Sequence, residues 1–154
     1  VEKILISACL YGEVVRYDGR QKRLNHPYIQ RWQEEGRLVA ICPEVAGGLP
    51  VPRSPCEYDM QTGHVLTKEG QDFTAAFQAG AQAVLHLAQT HHIRFALLKE
   101  RSPSCGSNEI YDGHFSGRTI KGQGISAALL QENGIQVYSE ETLEALNTDL
   151  KAAE

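Results

Sequence analysis

The sequence predicts an α/β domain built on a small, mainly parallel β-sheet. Four short apolar runs, at 3–9, 37–42, 94–99 and 135–139, have the length and content of buried strands. Helical stretches with apolar stripes separate them, and strands that alternate with helices pair in parallel with helices on both faces. With 154 residues the chain is the size of one domain and buries roughly 70% of its unfolded surface. The expected architecture is therefore a single three-layer, Rossmann-like domain over 1–154, with long functional loops.

Taken in order, 3–9 (KILISAC) is apolar and ends in small residues, as a core strand does. Residues 11–25 (YGEVVRYDGRQKRLN) mix glycines with charges and read as a long loop. Pro27 opens a helix over 27–35, because its fixed φ suits a first helical turn, and Gly36 stops it. The second strand, 37–42 (RLVAIC), is cut off by Pro43. Residues 43–63 hold clustered prolines and the pair Gly47-Gly48, which predicts a long, extended and rigid loop of the kind that carries function.

Residues 64–67 fit a short edge strand. The longest predicted helix, 69–91, has Phe73, Phe77, Ala81, Val84 and Ala88 on one stripe. His91 and His92 close it, where imidazoles suit the dipole. The third strand, 94–99 (RFALLK), breaks into a loop over 100–117. A helix over 125–133 ends at Gly134, the fourth strand is 135–139, and a last helix over 140–150 has Ser139 as its N-cap. No internal repeat is visible.

A formal charge of −4 and the lack of a basic cluster argue against nucleic-acid binding. No apolar run approaches the ~20 residues of a membrane span, and no signal-peptide pattern stands at the start, so the cytoplasm is the expected compartment. In a reducing compartment cysteines are core residues, metal ligands or reactive thiols, and seldom disulfides.

Of the four cysteines, Cys9 and Cys42 end predicted strands and Cys105 lies a few residues past a third. In an open parallel sheet those carboxyl ends form one rim, where ligands bind. A cysteine ending a core strand is often only a small buried hydrophobe. Cys105, set among serines, Pro103 and Gly106, is a poor core residue, and three thiols on one rim suggest a shared ligand.

Three strings then resemble a known family. SACLYG with VRYDG, ICPEVAGGLPVPR, and LKERSPSCGSNEIYDGHFSG with GQGISAALL are similar to the thiouracil desulfidases, a bacterial family, from Ser7 to about Val137. The resemblance implies a 4Fe–4S cluster held by three cysteines, Cys9, Cys42 and Cys105, with one iron free of protein ligands. It also implies a small-molecule thio-base as substrate, C–S bond hydrolysis without net electron transfer, and uracil and hydrogen sulfide as products. The protein is expected as a monomer or a small homo-oligomer.

A soft thiocarbonyl sulfur suits a thiolate-ligated metal, and hydrolysis needs a group to activate water. Glu44, two residues beyond Cys42, is the candidate acid–base, since burial lifts a carboxylate toward the useful range. Ser102 is the candidate catalytic serine, with Ser104 its rival and a substrate-binding candidate, although serines often bond only their own turns. Arg53 is a candidate to bind a carbonyl oxygen or a carboxylate, Tyr17 and Asp18 are candidates for the pocket mouth or a plain turn with Gly19, and Gly122 and Gly124 fit either an anion cradle or tight packing. Cys56 departs from the family pattern. As a fourth ligand it would close the open iron, or make a structural four-cysteine zinc site. A cluster carrier or redox sensor without turnover would use the same three cysteines.

Overall fold

The structure, a computed structural model, describes residues 2–13, 16–20 and 23–154. Of the predicted loop at 11–25, positions 14, 15, 21 and 22 lie outside the described residues. Strand β1 spans Ile4–Ser7 and runs into one 3-10 turn, Ala8–Tyr11. Helix α1, Pro27–Glu34, starts at the predicted proline, and the His26 Nδ1 accepts the Tyr28 N–H at 3.1 Å. Strand β2 is Leu38–Ile41, and the short helix α2, Pro43–Ala46, follows.

A hairpin of β3, Cys56–Asp59, and β4, His64–Thr67, leads to the long helix α3, Thr74–Thr90, and to strand β5, Phe95–Leu98. A second hairpin pairs β6, Glu109–Tyr111, with β7, Thr119–Lys121. Helix α4, Ile125–Glu132, strand β8, Gln136–Ser139, and helix α5, Leu143–Ala152, complete the chain.

The main sheet has the order β2-β1-β5-β8 and is parallel throughout. Side chains alternate across it as the pleat requires. Ile4, Ile6, Phe95 and Leu97 pack with Ile29 and Trp32 of α1 and Leu146 and Leu150 of α5. Leu5, Ala96 and Leu98 face the other way, against Val84 and Ala88 of α3 and Ala127 and Leu130 of α4. Three layers result, with the core split by the sheet. Among the described residues no helix is long and apolar enough to cross a membrane.

Four expectations need correction. The stretch 43–63 is not one extended loop. Its first residues coil into α2, and its last form β3, which pairs antiparallel with β4. The strand at 64–67 therefore edges a separate hairpin instead of the main sheet. The helix expected from 69 starts at Thr74, because Gly70 turns the chain at φ 88° and Asp72 bridges back to Leu66. The last helix is capped at Thr142, since the Ser139 Oγ accepts the Glu141 N–H within a preceding turn.

Candidate metal centre and active site

The chain steps from β1 outward to β2 and returns past β1 to β5, so the strand order reverses between β1 and β5. At such a switch point the crevice above the carboxyl ends is where parallel α/β sheets bind ligands. The segments leaving β1, β2 and β5 all open onto this crevice. Cys9 sits in the 3-10 turn after β1, and Cys42 is the N-cap residue of α2, directly after β2. Cys105 lies in the turn that follows β5.

All three cysteines line one cavity of about 410 Å³, with Glu44, Arg53, Cys56 and Ser102. Burial pushes the Cys9 thiol up to about 11, and the neighbouring Cys42 adds to the shift. Burial likewise raises Cys42, and raises the fully enclosed Cys105, on which both Cys42 and Cys9 act while the Ser7 hydrogen bond opposes. Cys9 and Cys105 thus both lie within electrostatic reach of Cys42. Cys56 is raised to about 11 by burial, and the charges acting on it are those of Glu44 and Arg53.

Helix α2 is placed by two glycines. A Cβ on Gly47 would lie 2.0 Å from the Ala76 carbonyl oxygen, and one on Gly80 the same distance from that of Pro43. Only glycine lets α2 approach α3 so closely, and this approach sets Cys42 and Glu44 at the rim. Glu44 accepts from Arg53 Nε at 3.0 Å. Burial raises its pKa, and the Arg53 charge only partly offsets that. The Val51-Pro52 peptide beside Arg53 is cis.

The two serines separate. Ser102 lines the cavity, and its Oγ accepts the N–H groups of Ser104 at 3.1 Å and Cys105 at 3.0 Å. Ser104 is fully buried, with its hydroxyl 2.7 Å from that of Ser126 and its carbonyl accepting from the start of α4. It is not on the cavity wall, so a direct substrate contact has no basis in this geometry. Gly124 is a packing residue: a Cβ there would stand 2.4 Å from the Ser104 carbonyl carbon.

The donor set fits an iron–sulfur cluster. Thiolates are the soft ligands such clusters take, and three thiols whose pKa values burial raises need a cationic group to settle them as thiolates. Among the described residues no three His, Cys, Asp or Glu side chains are grouped for one metal ion. A cluster places each thiolate on its own iron, so its donors stand farther apart than those of a mononuclear site.

Several cavity residues escaped the sequence reading. Lys99 lines the wall and pairs with Glu140 at 2.9 Å. Glu100 is 2% exposed, and its carboxylate accepts the N–H groups of Ser107, Asn108 and Glu109 and the Ser107 hydroxyl. Arg101 takes φ 67° and pairs with Glu109 and Glu141. Glu57, Tyr111 and Phe115 reach the cavity from the two hairpins. The charged run KER directly after a core strand was the available signal, since a strand that leaves the core there should open onto solvent.

Fold and cavity together define a parallel-sheet α/β protein with a cysteine-rich cleft at the carboxyl edge. Comparison supplies the family. The chain belongs to the 2-thiouracil desulfurase family, an enzyme family whose pattern it matches over residues 4–142. It is 39% identical over 148 residues to the uncharacterized protein YbbK of Bacillus subtilis (strain 168), covering 91% of this chain and 97% of that one. A solved structure described as the [4Fe-4S]-dependent thiouracil desulfidase TudS is 50% identical, superposes with a TM-score of 0.95, and covers 99% of both chains.

Proposed function

We propose that this chain, as one iron–sulfur-binding domain of the cytoplasm, hydrolyses the C–S bond of a thiolated pyrimidine, with 2-thiouracil giving uracil and hydrogen sulfide. The observation that carries the reading is the shared cavity wall of Cys9, Cys42, Cys105 and Glu44. Those three cysteines hold a 4Fe–4S cluster. It supplies, at the iron without a protein ligand, a soft Lewis acid for the substrate sulfur.

The remaining work falls to side chains. Glu44 accepts a proton from the water that attacks the ring carbon and returns it to the departing atoms. Its burial favours the protonated form, which suits a group that must both take up and return a proton. Arg53 Nε fixes one carboxylate oxygen and so orients the base. Ser102 accepts two backbone N–H groups, which leaves its own O–H to donate into the cavity toward water or substrate. Ser104 acts at one remove, by anchoring the Cys105 turn to α4.

Sulfide release from 2-thiouracil by the anaerobically prepared protein, followed beside a Glu44→Gln variant, tests this. Release that stops in the variant while iron is kept supports hydrolysis by Glu44. A carrier or sensor would release no sulfide in either form.

A further inference from the structure

Two rings that the β6–β7 hairpin brings to the cavity, which Tyr17 also lines, have no task in that scheme. Tyr111 ends β6 and Phe115 lies in the turn between β6 and β7, and both line the cavity. Tyr111 remains 39% exposed. A single exposed ring on a convex surface needs no explanation, whereas two rings on a concave wall beside polar groups are the usual makings of a ligand site.

The backbone holds this wall in place. Phe115 has φ 53°, a left-handed conformation that a bulky residue adopts only where its surroundings impose it. Glu57, on β3 of the other hairpin, imposes it. Its Oε1 accepts the Gly113 N–H at 3.0 Å and the Phe115 N–H at 3.1 Å. Gly113 lies so close to that strand that a Cβ would come within 2.8 Å of the Asp59 Cα. Asp112 closes the turn from within, accepting from the His114 N–H and the Ser116 hydroxyl. The turn is bound at both ends, so the backbone that carries the Phe115 ring is held beside the cavity.

We propose that Tyr111 and Phe115 form a stacking wall for the substrate's heterocyclic ring, and that Glu57 is the positioning residue that holds it. This rests on the desulfidase reading and narrows its substrate class. A thio-heterocycle offers a whole ring face for stacking, and an acyclic thioamide or thiourea, though planar, offers far less area. Stacking is tolerant of ring identity, because every base has a π-face. The wall therefore selects for a ring and leaves the ring substituents to polar groups.

The test uses cluster-loaded protein under anaerobic conditions, with Tyr111→Ala, Phe115→Ala, Phe115→Tyr and Glu57→Ala. Sulfide release is measured from 2-thiouracil and from thiourea, and uracil binding is titrated calorimetrically as a readout that needs no turnover. Each alanine variant at the wall is expected to raise KM for thiouracil about tenfold, with kcat and iron content close to wild type. That pattern marks lost binding instead of lost chemistry. Phe115→Tyr restores KM, thiourea is indifferent to every variant, and Glu57→Ala reproduces the KM defect with both rings present. Unchanged KM and uracil affinity in Phe115→Ala and Tyr111→Ala would overturn the wall. If wild type releases no sulfide, the desulfidase reading falls separately. Uracil binding then decides the wall alone: weakening in Phe115→Ala sustains it, and binding that is absent or unchanged overturns it.

Discussion

The Ser7 hydroxyl donates to Cys105 Sγ at 3.5 Å while its oxygen accepts the Lys99 N–H at 3.0 Å. One buried side chain at the end of β1 thus ties down both a candidate cluster ligand and the first residue beyond β5. Ligand thiolates are tuned and oriented by such partners. Ser7→Ala is expected to leave the Lys99 N–H unpartnered in the core and to cost about 1–3 kcal/mol in urea unfolding. The variant should also lose iron faster in air than wild type, followed by the decay of cluster absorbance. Equal decay and equal midpoints would show that the hydroxyl is idle.

Glu44→Gln keeps the shape of the side chain and an acceptor for Arg53 Nε, but removes the basic carboxylate. Steady-state sulfide release should fall by roughly 10²–10⁴, the usual worth of a positioned acid–base group. Iron content should stay unchanged. A loss of iron in parallel would assign Glu44 to the cluster's surroundings instead of to proton transfer.

Glu100 gives a pH dependence of stability. Burial would raise its pKa, but the N–H groups of Asn108 and Glu109 and the Ser107 hydroxyl outweigh that and hold it below the ordinary carboxylate range. A depressed carboxylate stabilises the fold above its unfolded pKa, and the gain is lost as pH falls through the lower folded value. Glu100→Gln should therefore cost about 1–3 kcal/mol at pH 7. The gap between variant and wild type should close as the solution is acidified below that carboxylate range. A constant gap at every pH would contradict the sign.

Gly80→Ala tests how the fold places the site. The added Cβ would meet the Pro43 carbonyl oxygen at 2.0 Å, a backbone atom that cannot swing aside. Overpacking of this kind costs about 1–3 kcal/mol, and relief requires α2 to move with Cys42 and Glu44. The variant should lose iron and sulfide release together, although residue 80 touches neither. Retention of both would mean that α2 tolerates displacement.

The main sheet was legible in the sequence because β1, β2 and β5 are unbroken apolar runs, and each ends at a proline, a small residue or a charge. That regularity put Cys9, Cys42 and Cys105 on one rim before any coordinates. The two hairpins were less legible. Tyr111 and Ile120 are exposed, so β6 and β7 show no apolar run to read. The turn they share depends on Glu57, 56 residues before the Gly113 N–H that it accepts. Glu100 was missed for the same reason: a carboxylate satisfied by backbone N–H groups looks like any loop acid in sequence. Ser102 and Ser104 could not be told apart, because what separates them is the Ser126 hydroxyl on a later helix.

The central claim is a sulfur site shared by residues 9, 42 and 105, with residue 56 outside it. Anaerobic iron and acid-labile sulfide, quantified on wild type and on Cys9→Ala, Cys42→Ala, Cys56→Ala and Cys105→Ala, measure it most directly. Wild type and Cys56→Ala should hold iron and sulfide in equal amounts, and the other three variants should lose most of both. Iron lost on replacing Cys56, or a wild-type protein that binds zinc without sulfide, would contradict the account.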